Sequence, residues 1–400
     1  MNYVLYHVHS HYSLLDSCSA PEDYVKLCVE NGHKAISFSE HGKPLNWVSK
    51  KKLCEANGIL YIHSVEIYLT EALLQPDPET GELKKVRDNY HTVLMARNAE
   101  GVRELNRLIT LSSQEDHFYY VNRLSFEEFL GISDNIISTS ACLASPLNKL
   151  PPDHPMYEKL VEKYTFLEVQ PHDHPEQIAF NQRLLRLAKF YDKPLIAGTD
   201  THSASAYKAE CRDILLESKH KKYDDDGFDL TYKTYDELVG AFARQNALPE
   251  EAYLQAIENT NLLTSMVEPF ELDSEAKYPI LYGSREKDAE VFKDRVWKMF
   301  ADKLSRGVIP PEQKDAFEKA LQDEIDVLLK LNMGGFMLSM SEILCWCKEQ
   351  GFAIGTARGS VGGSRVAYVT DIIDLNPETW NTSFYRFCNV NRVEIGQVAA

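Results

Sequence analysis

Side chains of the kinds that bind metal ions recur at the ends of predicted strands through the first half of this chain. The segment YHVHS carries His7 and His9, and later segments carry Asp16, His41 in SEHG and Glu66 in SVEIY. Residues two apart in a strand project to the same face, so His7 and His9 present both imidazoles on one side. An H-x-H pair alone is a weak sign of a metal site. Its repetition constrains the fold, because the strand ends must meet for the side chains to act together.

Short apolar runs alternate with amphipathic stretches in this half, which is the pattern of strand–helix units around a parallel sheet. We predict strands at residues 3–9, 35–39, 60–68, 91–96, 135–140, 166–170 and 194–199. Helical periodicity lies between several of them, at residues 21–30, 45–56, 100–111 and 177–191. Strands with crossover connections favour an α/β barrel, in which working side chains cluster at the carboxyl ends of the strands.

The remaining candidate ligands follow the same rule. His91 lies on the fourth predicted strand, Cys142 follows the fifth, and TDTH places Asp200 and His202 after the last. A barrel would therefore gather nine side chains at one rim: His7, His9, Asp16, His41, Glu66, His91, Cys142, Asp200 and His202. Imidazole and carboxylate mixtures suit zinc, manganese or iron, and a thiolate favours zinc. One ion takes about four or five ligands, so the sequence predicts more than one metal.

A site with several cations favours hydrolysis of a phosphoester. Bridging carboxylates at Asp16, Glu66 or Asp200 would hold neighbouring ions about 3.5–4 Å apart, the spacing used for in-line displacement at phosphorus. One cation makes hydroxide available near neutral pH, and another neutralises charge on the leaving oxygen. We therefore predict that catalysis depends on Asp16, Glu66, Asp200 and His202.

Composition and charge exclude some functions. The net charge of -17 argues against a protein that coats nucleic acid by bulk electrostatics, although bound metals can supply local positive potential. No run approaches the about 18 consecutive apolar residues of a membrane span, and the first residues lack the basic and apolar regions of a signal peptide. The eight cysteines show no C-x-x-C spacing. We expect a cytoplasmic protein without a disulfide framework or a membrane partner.

The motifs of the first half resemble the PHP (polymerase and histidinol phosphatase) domain, in the form found at the amino end of bacterial DNA polymerase III alpha subunits, the family C polymerases. HVHSHYSLLD, SEHG, the glutamate of SVEIY, His91, the cysteine of SACLAS and GTDTH match in order and spacing over residues 1–205. The resemblance implies a distorted seven-stranded β/α barrel with up to three divalent metal ions. The expected metals are zinc, manganese or iron, with magnesium as a further candidate. It also implies that all nine residues are ligands and that the domain is an active 3′–5′ exonuclease of the proofreading type.

Three positions depart from the family motifs or lie beside them. Glu40 stands where the family usually has the aspartate of TDHG, and we expect it to support a ligand. His11 replaces a residue that is usually acidic or polar, and we expect a surface histidine. His172 matches a family position, and it either faces the site or belongs to a loop.

The second half has a different sequence pattern. From about residue 235 helical patterns dominate, with connected helices predicted at residues 278–306 and 311–331. Residues 323–392 resemble the opening of the family C palm, in the segment that holds a glycine–serine phosphate-binding turn. Glycines let backbone N–H groups approach phosphate oxygens. The resemblance implies triphosphate contacts in this turn, with Arg365 in support, at Arg358, Gly359, Ser360, Gly363 and Ser364.

The family places a D-x-D pair just beyond this turn, and two carboxylates are needed to hold the metals of nucleotidyl transfer. This chain reads NVNRVEIGQVAA there. We therefore expect an incomplete palm and no polymerase activity from this chain.

Three regions are predicted. Residues 1–205 form the metal-dependent PHP phosphoesterase or exonuclease domain, residues 206–275 a connecting helical extension, and residues 276–400 the incomplete palm. The expected partners are DNA 3′ ends and the remainder of a DNA polymerase III alpha subunit or other replisome proteins.

Two further functions stay open. One is phosphomonoester hydrolysis of the histidinol-phosphatase type, since rim loops choose the substrate. The other is a non-catalytic, metal-stabilised scaffold for a polymerase core supplied by another chain, as part of a split alpha subunit.

Overall fold

The computed structural model describes residues 2–219, 227–273, 277–357 and 359–390. The chain divides into two compact units, Met1–Leu272 and Asp273–Ala400. Helices alternate with strands in the first unit, which establishes the predicted α/β fold class, and the described part of the second unit is helical without strands. Nearly all of the predicted connecting extension, residues 206–275, belongs to the first compact unit.

The strands of the first unit largely match those predicted. The predicted strand at residues 3–9 is reduced to isolated bridges at Leu5 and Val8. The β4–β5 hairpin and strand β7, which pairs with β3, were not predicted. The strands are β1 (Ala35–Ser37), β2 (Leu60–Ile62), β3 (Ser64–Thr70), β4 (Leu74–Pro76), β5 (Leu83–Lys85), β6 (Tyr90–Ala96), β7 (Arg123–Ser125), β8 (Ile136–Thr139), β9 (Leu167–Val169) and β10 (Leu195–Ala197).

The strand pairings follow a closed circuit. The first segment bridges to β1 at Leu5, β1 pairs with β2, and β2 leads directly into β3. β3 pairs with β6, and β6 pairs with β8. Thr139 bridges β8 to the start of β9, β9 pairs with β10, and Val8 bridges back to Thr201 just after β10. The strand ends of the circuit therefore surround a common space.

The prediction of a wholly parallel sheet is wrong for β6. This strand runs antiparallel to both β3 and β8, whereas β1–β2 and β9–β10 are parallel. The connection from β3 to β6 carries the β4–β5 hairpin instead of a helix, and antiparallel strands need no helical crossover. The reversal pairs His91, at the amino end of β6, with Tyr68 near the carboxyl end of β3. His91 therefore lies at the same edge as the other candidate ligands.

Helices connect the strands, and several have clear end signals. Pro21 opens α1, Glu22 and Asp23 lie in its positively polarised first turn, and Gly32 ends it with a φ of 70°. The helices of the first unit are α1 (Pro21–Asn31), α2 (Trp47–Ala56), α3 (Ala99–Ser112), α4 (Phe126–Leu130), α5 (Pro146–Lys149), α6 (Tyr157–Lys163), α7 (Pro175–Tyr191), α8 (Ala206–Ser218), α9 (Tyr235–Gln245), α10 (Glu250–Asn259) and α11 (Leu262–Met266).

The core of the first unit lies between these helices and the strands. Val65 and Ile67 of β3 and Leu94 of β6 are fully buried together with Leu105 of α3 and Leu184 of α7. Burial of each such side chain stabilises the fold by about 1.5–3 kcal/mol. This packing holds the strand ends that carry the candidate ligands.

The second unit packs its helices around a separate core that includes Phe292, Phe317 and Leu321. No single helix among the described residues has both the length and the apolar character to cross a membrane. One pair bent by 115°, Pro311–Lys330 with Gly334–Glu349, meets that test by length and composition alone. The elements are α12 (Arg285–Ser305), α13 (Lys314–Lys330), α14 (Gly334–Glu349), α15 (Arg365–Val369) and 3₁₀ turns at Pro311–Gln313, Gly359–Gly363 and Phe384–Arg386.

Candidate metal centre

Glu66 of β3 lies at the centre of a cluster of imidazoles. Its side chain is only 1% exposed. Oε1 lies 3.0 Å from Nδ1 of His91 and 3.5 Å from Nε2 of His7. Oε2 lies 2.8 Å from Nδ1 of His41 and 3.4 Å from Nε2 of His9. Each carboxylate oxygen faces two imidazoles, so cations held by these rings would share the Glu66 carboxylate.

Asp200 follows β10 and faces the H-x-H segment. Its Oδ1 lies 3.2 Å from Nε2 of His7 and 3.3 Å from Nε2 of His9. The bridge between Val8 and Thr201 sets the two segments side by side. Asp200 has a φ of 46°, a left-handed conformation that aspartate adopts more readily than most residues.

Asp16 connects two further imidazoles. Its Oδ2 lies 2.9 Å from Nε2 of His41 and 3.1 Å from Nε2 of His202. Its Oδ1 accepts a hydrogen bond of 2.7 Å from Nη2 of Arg212 on α8, whose Nε donates to the Asp16 carbonyl. The guanidinium fixes the orientation of the carboxylate, so that Oδ2 faces the imidazoles. Sequence reasoning missed Arg212.

Cys142 completes the cluster. Its Sγ lies 3.5 Å from Nδ1 of His91 and 4.0 Å from Oε1 of Glu66. The residues just before Cys142 and Asp16 are left-handed, with φ values of 54° at Ala141 and 65° at Leu15. Such backbone costs about 1–2 kcal/mol per non-glycine residue and collects at functional sites. All nine candidate ligands therefore lie in one connected cluster.

The donor set fits divalent cations. Nε2 of His7, Nε2 of His9, Nδ1 of His41 and Oε2 of Glu66 are buried, and among the described residues their close polar contacts lack the angles of a hydrogen bond. Each unpaired buried polar atom costs about 1–3 kcal/mol, which a cation bound to these lone pairs would recover. Three groups hold their ligand atoms within 4.8 Å of one another: His7–His9–Glu66, His41–Glu66–His91 and His9–His41–His202.

Glu168 of β9 orients His7. Its Oε1 accepts a hydrogen bond of 2.6 Å from Nδ1 of His7, and Thr139 and Gln170 donate to the same carboxylate at 2.7 and 2.8 Å. A Cβ atom at residue 198 would lie 2.0 Å from Oε1 of Glu168, so Gly198 makes room for this acid. Carboxylate partners of this kind fix the ring and tautomer of a metal-binding histidine. Sequence reasoning missed Glu168; an acid within an otherwise apolar strand was the available signal.

Glu40 supports His9 through Ser13. Nδ1 of His9 lies 2.9 Å from Oγ of Ser13, which donates to Oε2 of Glu40 at 2.6 Å. Nζ of Lys50 lies 2.6 Å from Oε1 of Glu40, and both side chains are buried. The structure thus places Glu40 behind a candidate ligand, as expected, but behind His9 and on the side away from the cluster.

Burial and charge shift the pKa values within the cluster. Burial, together with the nearby imidazoles of His41 and His202, lowers the pKa of His9 to about 4. Burial also opposes charge on His7, but the carboxylates of Glu168 and Asp200 outweigh it and hold the pKa of His7 well above its ordinary value. His9 is therefore neutral at neutral pH, the form that coordinates a cation.

The other two histidines considered above differ in burial. His11 is exposed, as expected for a surface residue. His172 is buried, its ring stacks on Phe228 with centroids 4.8 Å apart, and its Nε2 has no hydrogen-bond partner among the described residues. Burial lowers the pKa of His172 to about 4.

The candidate phosphate contacts lie in the second unit. Arg358 lies outside the described residues. Gly359 and Ser360 are exposed in the 3₁₀ turn, and Gly359 has a φ of 64°. Gly363 is buried, and a Cβ atom there would lie 2.2 Å from the Ser383 carbonyl oxygen, so close packing accounts for this glycine.

Ser364 and the N–H groups that follow it are bonded to a carboxylate of the chain. Oγ of Ser364 donates to Oε2 of Glu324 at 2.8 Å. The backbone N–H groups of Arg365 and Val366 donate to Glu324 at 3.0 Å. A phosphate contact at Ser364 stays a prediction, and it would require Glu324 to give up these donors.

Comparison with protein families gives one match in each of the two compact units. The PHP domain model matches residues 6–193, and the model described as bacterial DNA polymerase III alpha NTPase domain matches residues 290–398. The DNA polymerase III subunit alpha of Aquifex aeolicus (strain VF5) is 27% identical over 421 residues, covering 99% of this chain and 36% of the relative. That of Treponema pallidum (strain Nichols) is 28% identical over 413 residues, covering 99% and 34%. The chain thus spans about a third of the length of these relatives.

A solved structure of Endonuclease Q in complex with a 27-mer duplex that has an abasic lesion at the active site is 14% identical, covers 87% of this chain and 91% of its own, and has a TM-score of 0.33. A likeness of this size carries no argument about function. The two family matches, and a similarity to the alpha subunits that extends over 99% of this chain, identify its relatives. The chain therefore matches the PHP domain family over residues 6–193 and the bacterial DNA polymerase III alpha family over residues 290–398.

Proposed function

We propose that the first unit is a metal-dependent phosphodiesterase that removes nucleotides from DNA 3′ ends, a 3′–5′ exonuclease of the proofreading type. The observation that carries the proposal is the position of Glu66, whose two oxygens face four imidazoles in overlapping groups of candidate ligands. The similarity to DNA polymerase III alpha subunits supports DNA as the substrate.

The barrel and domain assignments belong to the same proposal. The closed circuit of pairings supports a distorted seven-stranded barrel over residues 1–205, with the cluster at one rim. Residues 206–275 serve as the extension and residues 276–400 as part of a family C palm. The proposed partners are DNA 3′ ends and replisome proteins, including the remainder of an alpha subunit.

We propose three cation positions, for zinc, manganese or iron, with magnesium as a further candidate. The three groups around Glu66, His9 and His41 would hold them, with Asp16, Asp200 and Cys142 as additional ligands. Divalent cations lower the pKa of nearby water and neutralise charge that builds on phosphate oxygens.

The protein's own side chains organise this chemistry. Glu66 would hold neighbouring cations, Arg212 orients Asp16, and Glu168 orients His7. The side chains of His41 and His91 are 21% exposed, whereas those of His7 and His9 are fully buried. A phosphodiester would therefore enter from the side of His41 and His91, with the buried pair as the floor of the site.

Metal analysis combined with a strand-degradation assay tests the proposal. The purified chain should contain zinc, manganese or iron, and should shorten 3′-labelled single strands and mismatched primers until a chelator is added. His9→Ala and Asp200→Ala should each lower the rate at least about 100-fold with the fold retained. His154→Ala, which changes a histidine paired with Glu71 outside the cluster, should retain activity.

Two outcomes would overturn the proposal. Folded, metal-loaded protein that leaves both DNA substrates intact would favour the scaffold function. Strong preference for an aryl phosphate over an oligonucleotide would favour a phosphomonoesterase, because only that activity uses a small terminal phosphate.

A further inference from the structure

A polar cavity of about 620 Å³ lies at the other end of the strands from the metal cluster. Its walls include Arg97, which follows β6, Ile136 at the start of β8, and Lys193, just before β10. His91 of the cluster and Arg97 are six residues apart along an extended strand, which corresponds to about 20 Å. The cavity is therefore separate from the cluster.

The Arg97 side chain lacks a partner in this cavity. Its Nε is buried without a hydrogen-bond partner, and no hydrogen bond or ion pair of its guanidinium is present in the described part of the chain. Its backbone is fixed, because its N–H donates to the Asn135 carbonyl at 2.8 Å and its carbonyl accepts from Glu268 N at 2.7 Å. A buried guanidinium N–H without an acceptor is costly, and an anion in the cavity would supply the acceptor.

Two anchored lysines add positive charge to the same walls. Nζ of Lys163 donates to the Ile132 carbonyl at 2.6 Å. Nζ of Lys193 donates to the carbonyls of Glu162 and Tyr164 at 2.5 and 2.9 Å. An ammonium has three N–H donors, so both amines keep free donors in fixed positions.

The acids of the cavity only partly offset these cations. Asp134 and Glu162 also line it; neither forms a salt bridge with Arg97, Lys163 or Lys193 within the described residues, and the Glu162 carboxylate acts on Lys193 only through its charge. Three cations therefore face two acids, which leaves the walls with a net positive charge. Ile132 and Ile136 add apolar surface, and the volume falls in the range of about 300–1,000 Å³ typical of small-molecule sites.

We propose that this cavity binds a small organic phosphate of mononucleotide size. The guanidinium of Arg97 would bind two phosphate oxygens, Lys163 and Lys193 would donate from the sides, and the isoleucines would contact the organic part. The proposal does not depend on the nuclease function of the metal cluster.

Titration calorimetry with deoxyadenosine monophosphate tests this site. The full chain is treated with a chelator first, so that cations in the cluster do not bind the phosphate. We expect saturable binding at one site, weakened at least about tenfold by Arg97→Met and by Lys163→Gln. Lys26→Gln, an exposed lysine on α1, should bind like the unchanged protein.

Circular dichroism shows whether each variant is folded, and Lys163→Gln provides the test should Arg97→Met not fold. The absence of saturable binding would overturn the proposal, as would unchanged affinity in both folded variants. Inorganic phosphate should bind more weakly than the nucleotide, and equal affinity would contradict a site of mononucleotide size.

Discussion

Nδ1 of His7 donates a hydrogen bond to Oε1 of Glu168 across 2.6 Å, and both side chains are fully buried. The contact joins the first segment of the chain to β9. A cation that binds Nε2 displaces the proton there, and with the other proton held on Nδ1 the imidazole then presents the Nε2 lone pair on the side of Glu66 and Asp200. An acid that is not itself a candidate ligand thus decides how a ligand is presented to the cluster.

Replacement of Glu168 by glutamine should weaken metal binding with little change of fold. The amide keeps the shape of the acid but loses the negative charge that holds the His7 proton on Nδ1. We expect metal affinity to fall about 10–100-fold, measured by competition with a chromophoric chelator. Glu158→Gln, an exposed acid on α6, should leave the affinity unchanged. Equal affinities in the two variants would refute the role of Glu168.

Gly198→Ala should disturb the same contact from the other side. The added Cβ would lie 2.0 Å from Oε1 of Glu168, so the carboxylate must move. We expect the free energy of unfolding, measured in urea, to fall by about 1–3 kcal/mol, and metal binding to weaken. Gly355→Ala, where no atom lies within 4 Å of the new Cβ, is the matched control. In the double variant with Glu168→Ala, the Gly198→Ala change should cost much less stability than it does alone. If the two stability losses instead simply add, the new Cβ clashes with an atom outside the Glu168 side chain.

Metal addition should stabilise the protein through His9. For chelator-treated protein, manganese or zinc at about 100 times its Kd should add about 2.7 kcal/mol, seen as a rise in Tm. His9→Ala removes a member of two of the three candidate groups and should lose most of this rise. His154→Ala should keep it. A full rise in Tm for His9→Ala would place the stabilising metal elsewhere.

Glu324→Ala, which removes the carboxylate, should destabilise the second unit. Ser364 Oγ and the N–H groups of Arg365 and Val366 would lose their acceptor, and buried donors without one cost about 1–3 kcal/mol. Trp297, Trp346 and Trp380 report unfolding of this unit by fluorescence in urea. The neighbouring exposed acid offers a control, Asp323→Ala, which should change stability little. Similar stability in both variants would show that the contact contributes little.

The clustering of the candidate ligands was predictable because most of them lie in extended segments or just after strand ends. His7 and His9 have the two-residue period of a strand face, and Asp200 and His202 follow a strand end. His91 was placed correctly although the parallel sheet was wrong, because the reversed direction of β6 brings its amino end to the ligand edge.

The supporting residues were not predictable in the same way. Glu168 and Arg212 act through partners more than a hundred residues away, and neither belongs to a local motif. The glycine-rich turn was unpredictable for a different reason. Its composition indicates N–H groups available to an anion, but it does not identify that anion. In the structure the Glu324 carboxylate, forty residues earlier, accepts the hydrogen bond of Ser364.

Anomalous diffraction from crystals of the full chain grown with manganese would locate the cations directly. We predict two or three anomalous peaks, each within coordination distance of at least two of the nine clustered side chains, with Glu66 shared between two of them. A well-ordered cluster with no peak beside Glu66 at saturating manganese would contradict a multinuclear centre built on this carboxylate.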